Sequence, residues 1–154
     1  MSGYLHGAHS VFAIHLHLVW ITKYRKQALS YDIRLKCRDI LREICRANDV
    51  EIIKGHVASD HIHLFVSIPP QVTISRLVQK LKGKSSFKLL HMFESLRCQY
   101  WGRHLWARGY FCCSSGNVTD EVKSPQEGFH WGLKQMTKLI WRGSSRLFYL
   151  TIFL

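Results

Sequence analysis

The sequence predicts an α+β fold of the ferredoxin-like, split β-α-β type: a four- to five-stranded antiparallel sheet with the helices on one face. Three observations predict it. Strand-like and helix-like segments follow one another as β-α-β-β-α-β between Ser10 and Ser115. Apolar residues between Asp32 and Ala47 recur at helical spacing. The strands Val50 to Ala58 and His61 to Ile68 are separated only by Ser59-Asp60, a link that calls for an antiparallel pair.

In order along the chain, Ser10 to Thr22 is rich in Val, Ile, Leu, Phe and Trp and reads as the first strand. Lys23-Tyr24-Arg25-Lys26 follows as a basic turn. The first helix places Ile33, Cys37, Ile40, Leu41, Ile44 and Cys45 on one face and basic residues on the others, and Asn48-Asp49 ends it. Pro69-Pro70 stops the third strand. A second helix starts near Thr73, with Ile74, Leu77, Val78 and Leu81 on one side. Gly83 is expected to interrupt it before the spacing resumes through Phe87, Leu90 and Phe93. Trp106 to Ser115 reads as the fourth strand and Gly116-Asn117 as a turn.

At 154 residues the chain is long enough for one domain with a real core. Its 47% apolar and 21% charged content is that of an ordinary soluble globule. No apolar run reaches the roughly 18 residues of a membrane helix, and the N-terminus lacks a signal-peptide layout, so no membrane association and a cytoplasmic location are expected. Cys37, Cys45, Cys98, Cys112 and Cys113 show no CxxC spacing, so reduced and mostly buried thiols are expected, without a disulfide framework or zinc ribbon. With 22 Lys+Arg against 10 Asp+Glu, the net charge of +12 points to a polyanionic partner, nucleic acid first and an anionic membrane surface second.

The most pointed chemistry lies in Asp60-His61-Ile62-His63-Leu64. Side chains alternate along a strand, so His61 and His63 face the same way while Ile62 enters the core. Two adjacent imidazoles can hold Mg²⁺, Mn²⁺ or a similar ion able to polarise a phosphoryl oxygen; two hydrogen-bonded surface histidines are the plain alternative. His15-Leu16-His17 repeats the spacing without a preceding Asp and reads as sheet-face structure or a nucleic-acid contact. Lys23, Tyr24, Arg25 and Lys26, together with Lys82 and Lys84 of the run Lys80 to Ser86, are candidate DNA contacts, with Tyr24 able to stack on an unpaired base. Arg108, in Leu105-Trp106-Ala107-Arg108-Gly109-Tyr110-Phe111, is a further candidate. A solvated basic face is the competing account of each cluster. There is no phosphate-binding glycine loop and no nucleophile elbow.

These segments, in this order and spacing, resemble the small single-tyrosine HUH transposases of bacterial and archaeal insertion sequences and their REP-associated tyrosine transposase relatives. The likeness runs from about His9 to Val122. It implies a homodimer that binds single-stranded DNA hairpins at transposon ends. A tyrosine on a C-terminal helix would attack the strand and leave a 5′-phosphotyrosine. His61 and His63 would inherit the metal role, with Mg²⁺ or Mn²⁺ as cofactor, and a glutamine one helical turn after the tyrosine would be the third ligand.

The chain departs from that pattern after residue 122. The tyrosine is due at position 125 or 126, where the sequence has Pro125 and Gln126, and no glutamine stands between Glu127 and His130. The expected organisation is a transposase core over residues 1–122 and a divergent, frameshifted tail over 123–154. In that tail Ser124-Pro125-Gln126-Glu127 fits a capping box opening a helix to about Trp141. No catalytic residue is identified; Tyr149 is named as a substitute nucleophile and His130 as a substitute ligand. The expected function is therefore that of a transposase copy lacking its nucleophile. The alternatives are a non-catalytic single-stranded nucleic-acid binding module and an inhibitor of intact transposase.

Overall fold

The computed structural model describes residues 5–6, 11–12, 14–100, 102 and 104–114. Strands β1 (Leu5–His6) and β2 (Val11–Phe12) form a small antiparallel pair of their own. They precede β3 (His15–Ile21), the helix α1 (Tyr31–Arg46), β4 (Glu51–Val57), β5 (His61–Ser67), α2 (Ile74–Met92), the short α3 (Glu94–Gln99) and β6 (Phe111–Ser114). The main sheet has the order β4-β5-β3-β6 with every neighbour antiparallel, which is the split β-α-β arrangement. The α+β, ferredoxin-like expectation holds, with four strands in the main sheet.

The core follows from alternation. Leu16, Leu18 and Trp20 of β3, with Ile62, Leu64 and Val66 of β5, form one buried face. Against it pack Ile33, Cys37, Ile40, Leu41, Ile44 and Cys45 of α1, the six residues whose spacing predicts that helix. Leu77, Val78, Leu81, Leu89 and Leu90 of α2 complete the layer. Fully burying a side chain such as Trp20 or Leu81 contributes about 2–3 kcal/mol each.

Several expectations are corrected. The first strand is shorter than Ser10 to Thr22, because Val11 and Phe12 pair with Leu5–His6 instead of the main sheet. Helix α2 runs unbroken through Gly83; a side chain there would meet nothing within 4 Å, so packing on either side outweighs the roughly 1 kcal/mol glycine costs a helix. Phe87, assigned to the buried stripe, is 73% exposed and stacks on His91. The expected strand from Trp106 to Ser115 is split. Trp106 bridges Thr22 at the end of β3, the chain bends through Gly109 at φ 79°, and regular pairing resumes only at Phe111. Of the five thiols only Cys37 and Cys45 are buried; Cys98 and Cys113 are exposed, and all five are free. Burial pushes the Cys37 thiol up to about 12 and Cys45 to about 11, so both are inert core residues.

The expected helix from Pro125 to Trp141, with Tyr149, His130 and the 123–154 tail, lies outside the described residues. Among those described, no helix is long and apolar enough to cross a membrane.

Candidate metal and nucleic-acid site

The face of the sheet opposite the helices collects the histidines. On β5, His61 and His63 leave the core side to Ile62, as their spacing requires. Antiparallel pairing then sets Val19 opposite His63 and Ile21 opposite His61 on β3, with His17 one diagonal step from His63. On the other side, β4 sets His56 opposite His63. That match depends on a bulge at Ile53: Ile52 pairs with Val66, the next pair is Lys54 with Phe65, and the extra residue moves His56 onto the histidine face.

His61 is oriented from behind. Its Nδ1 lies 2.6 Å from Oδ1 of Asp60, and Asp60 Oδ2 accepts from Arg25 Nε at 3.2 Å and lies 3.2 Å from Nη2 of the same guanidinium. With Nδ1–H donating to the carboxylate, the lone pair of the His61 ring lies on Nε2, the carboxylate–imidazole arrangement common behind metal-bound histidines. The relay is built by the main chain: Thr22 N–H donates to Asp60 O at 2.8 Å and Leu29 N–H to Ser59 O at 3.0 Å. The basic turn is thereby clamped against the loop before β5. It is a left-handed turn, with Tyr24 at φ 64° and Arg25 at φ 50°, a conformation that costs non-glycine residues energy and here carries the Asp60 partner.

His63 is half-buried, and its Nε2 lies 3.0 Å from Nδ1 of His17. Burial, and then the neighbouring His17, His61, His56 and Lys54, push its pKa down to about 4, so the ring is neutral near pH 7. A neutral imidazole is the form that binds metal. His17, lowered by burial as well, stacks on Phe65 with ring centroids 4.4 Å apart. The donors fit a borderline divalent ion: two imidazoles with a carboxylate behind one of them. Among the described residues no three His, Cys, Asp or Glu side chains already converge on one point, so further ligands would come from water, substrate phosphate or another part of the chain.

The candidate DNA residues divide by place. Tyr24 is 76% exposed beside the relay, with Lys23 Nζ 5.0 Å from its ring centroid. Lys26 turns toward Tyr100 and donates to Gln99 O at 3.3 Å. Lys82 points at the strand break, donating to Ala107 O at 2.8 Å and Gly109 O at 2.5 Å, and burial lowers its ammonium to about 8. Arg108, between those two carbonyls in sequence, is exposed. Lys84 lies away from this end, exposed on α2 near Glu43 of α1, whose carboxyl it helps Lys88 to lower.

Sequence reasoning brought His61 and His63 together but left out Asp60, His17 and His56 as members of the site. The signal for His17 was its own His-x-His spacing, which becomes informative only once β3 is known to lie beside β5.

Residues 10–124 match the family described as "Transposase IS200 like". Among curated proteins, the transposase of insertion sequence element IS200 from Salmonella typhimurium is 35% identical over 116 residues, 75% of this chain and 76% of that one. The ISDra2 transposase of Deinococcus radiodurans is 36% identical over 121 residues, 78% of this chain and 86% of its own. Among solved structures, one from Deinococcus radiodurans R1 described as a transposase superposes with a TM-score of 0.74 at 29% identity, covering 88% of this chain and 97% of that one. A REP-associated tyrosine transposase bound to a REP hairpin shares the fold, with a TM-score of 0.50 at 17% identity over 93% of this chain and 75% of its own. With three quarters of its length matched in this way, the chain belongs to the IS200-like transposase family.

Proposed function

We propose that this chain binds hairpin-bearing single-stranded DNA through its basic turn and positions a phosphate over His61 and His63, but lacks the nucleophile to cut it. The Arg25–Asp60–His61 relay carries the reading, because it joins the candidate metal ligand to the candidate DNA-binding turn within one hydrogen-bonded unit. The hairpin in the REP-associated relative's complex supports the choice of DNA.

His61 and His63 would hold Mn²⁺ or Mg²⁺, with imidazole ligands favouring Mn²⁺. Bound there, the ion would supply charge stabilisation to a non-bridging phosphate oxygen. Arg25 keeps the Asp60 carboxylate in place, and the carboxylate keeps His61 in the ligating tautomer. In the complete reaction a tyrosine oxygen forms the new bond to phosphorus. The 3′-oxygen leaves as a hydroxyl, and the 5′-phosphotyrosine is later displaced by another 3′-hydroxyl. Pro125 and Gln126 stand where that tyrosine is due, so this step is missing and what is left is binding. The same departure supports the reading of residues 123–154 as a frameshifted tail, and it makes an inhibitor that pairs with intact copies the second reading. Homodimerisation and a cytoplasmic location belong to the same proposal.

Purified protein mixed with hairpin-bearing single-stranded DNA and Mn²⁺ or Mg²⁺ is expected to give a gel shift with no covalent band. A denaturant-resistant protein–DNA adduct would overturn the missing-nucleophile reading. Binding without hairpin preference and independent of metal would overturn the transposon-end reading in favour of a general single-strand binder.

A further inference from the structure

We infer that the groove between α2 and the segment Leu105 to Ala107 is a second single-strand site, which takes one unpaired DNA base against Phe87 and the adjoining phosphate on Arg97. Only the choice of DNA is taken from the proposed function; neither the metal histidines nor the basic turn enters.

The groove encloses about 460 Å³, within the range of small-ligand sites. Hydrogen bonds fix its walls. The fully buried Ser85 Oγ accepts from Trp106 Nε1 at 2.9 Å, and Ser86 Oγ accepts from Leu105 N–H at 3.3 Å. Lys82 ties down the far end through the carbonyls of Ala107 and Gly109. Leu90, Leu105 and Trp106 make an apolar floor. Phe87 stands at the rim, largely exposed, with the His91 ring one turn on lying within 7° of parallel to it. A flat aromatic left in water is a ready stacking surface for a base. One turn earlier Gly83 leaves a notch beside Phe87, where a Cβ would meet nothing within 4 Å.

Charge selects the occupant. Helix α2 carries Arg76, Lys80, Lys82, Lys84 and Lys88 and no carboxylate. Arg97, His91 and His104 line the groove, and no Asp or Glu does. Arg97 Nη2 lies 3.0 Å from Glu94 Oε1, but both side chains are exposed, so the pair is weak and the guanidinium can turn to hold a phosphate through two parallel bonds. A second copy would bring the same basic helix to this face, and an apolar protein partner would leave the cations without counter-charge. Single-stranded DNA supplies both the flat apolar face and the negative charge.

Three variants of the full chain, titrated with a fluorescent oligothymidylate, test this. Gly83→Met fills the notch from an open helix position, so it is expected to weaken binding about tenfold without lowering the unfolding midpoint. Phe87→Ala is expected to weaken binding to the same extent, about tenfold. Arg97→Gln is expected to lower the slope of log affinity against log salt by about 0.7, the value of one single-strand phosphate. Binding of a blunt duplex should respond to neither Gly83→Met nor Phe87→Ala. Unchanged oligothymidylate affinity in both of these variants would overturn the proposal, and so would an equal loss of duplex binding. A changed sedimentation coefficient with unchanged DNA affinity would overturn it too, by assigning the groove to contacts between copies. Tyr24→Ala separates the two levels. Weakened binding there alongside unchanged binding in the groove variants sinks only the groove; a wild-type chain that binds no single strand sinks the choice of DNA and the groove with it.

Discussion

Replacing Asp60 with asparagine tests the relay at its centre. One oxygen of the carboxylate takes the His61 Nδ1 proton at 2.6 Å while the other takes the Arg25 Nε proton at 3.2 Å, so the side chain must accept on both sides. An amide can accept on only one. If the amide keeps its oxygen toward His61, its NH₂ group faces the guanidinium, donor against donor; if it flips, NH₂ meets the imidazole N–H and the ligating tautomer is lost. Loss of such an orienting carboxylate costs metal affinity about 10- to 100-fold, or about 1.4–2.7 kcal/mol. The charge-assisted bond to Arg25 is lost as well. That side of the relay is partly solvated, so its effect on folding is expected to be at most about 1 kcal/mol. Calorimetric Mn²⁺ titration of wild type and Asp60→Asn, with urea unfolding alongside, measures both quantities. A variant that binds Mn²⁺ within about threefold of the wild type while folding normally would refute the argument that Asp60 positions the ligand.

Three further outcomes are expected. His63 has a folded pKa of about 4 against an ordinary 6.5, so between those values the unfolded chain binds the extra proton. The stability due to neutral His63 is therefore complete above pH 6.5 and is lost as pH falls toward 4; thermal unfolding from pH 7 to 4 should show a midpoint drop that His63→Gln reduces. Lys82→Met is expected to destabilise the chain by about 1–3 kcal/mol, because the carbonyls of Ala107 and Gly109 lose their donor. It should leave the salt dependence of DNA binding unchanged, whereas a true phosphate contact would lower the slope by about one. Tyr24→Ala is expected to weaken single-stranded DNA binding by about tenfold without changing the unfolding midpoint, as fits an exposed stacking platform; equal affinity in a fluorescence titration would remove Tyr24 from the interface.

What could be read without the structure was whatever depends on periodicity within one segment. The apolar positions of α1 all reach the core because a helical stripe of that width has one way to bury itself. The short link at Ser59-Asp60 could only make the β4–β5 pair. Periodicity failed where a neighbour decides. Gly83 looks like a break because its local cost is visible and the packing of Leu81, Ser85 and Leu89 around it is not. Phe87 looks like core because its spacing is right, yet no described element covers that turn of α2. The split between Trp106 and Phe111 follows from a positive φ at Gly109 and the Lys82 clamp, neither of which has a periodic signature.

The sequence by itself determined the alternation of elements, the face on which His61 and His63 stand, the basic character of the turn at Lys23 to Lys26, and the absence of tyrosine at 125 and 126. Each is a property of residue identity or of spacing within a single strand or helix. Only the tertiary structure decided which residues join that pair. Arg25 reaches Asp60 because β3 ends beside the start of β5, His17 reaches His63 because those strands are antiparallel in one particular register, and His56 faces the site because of one bulged residue. Cross-strand register couples positions far apart in the chain through hydrogen bonding and core packing together, and a shift of one residue in β3 or β4 would turn His17 or His56 to the other face.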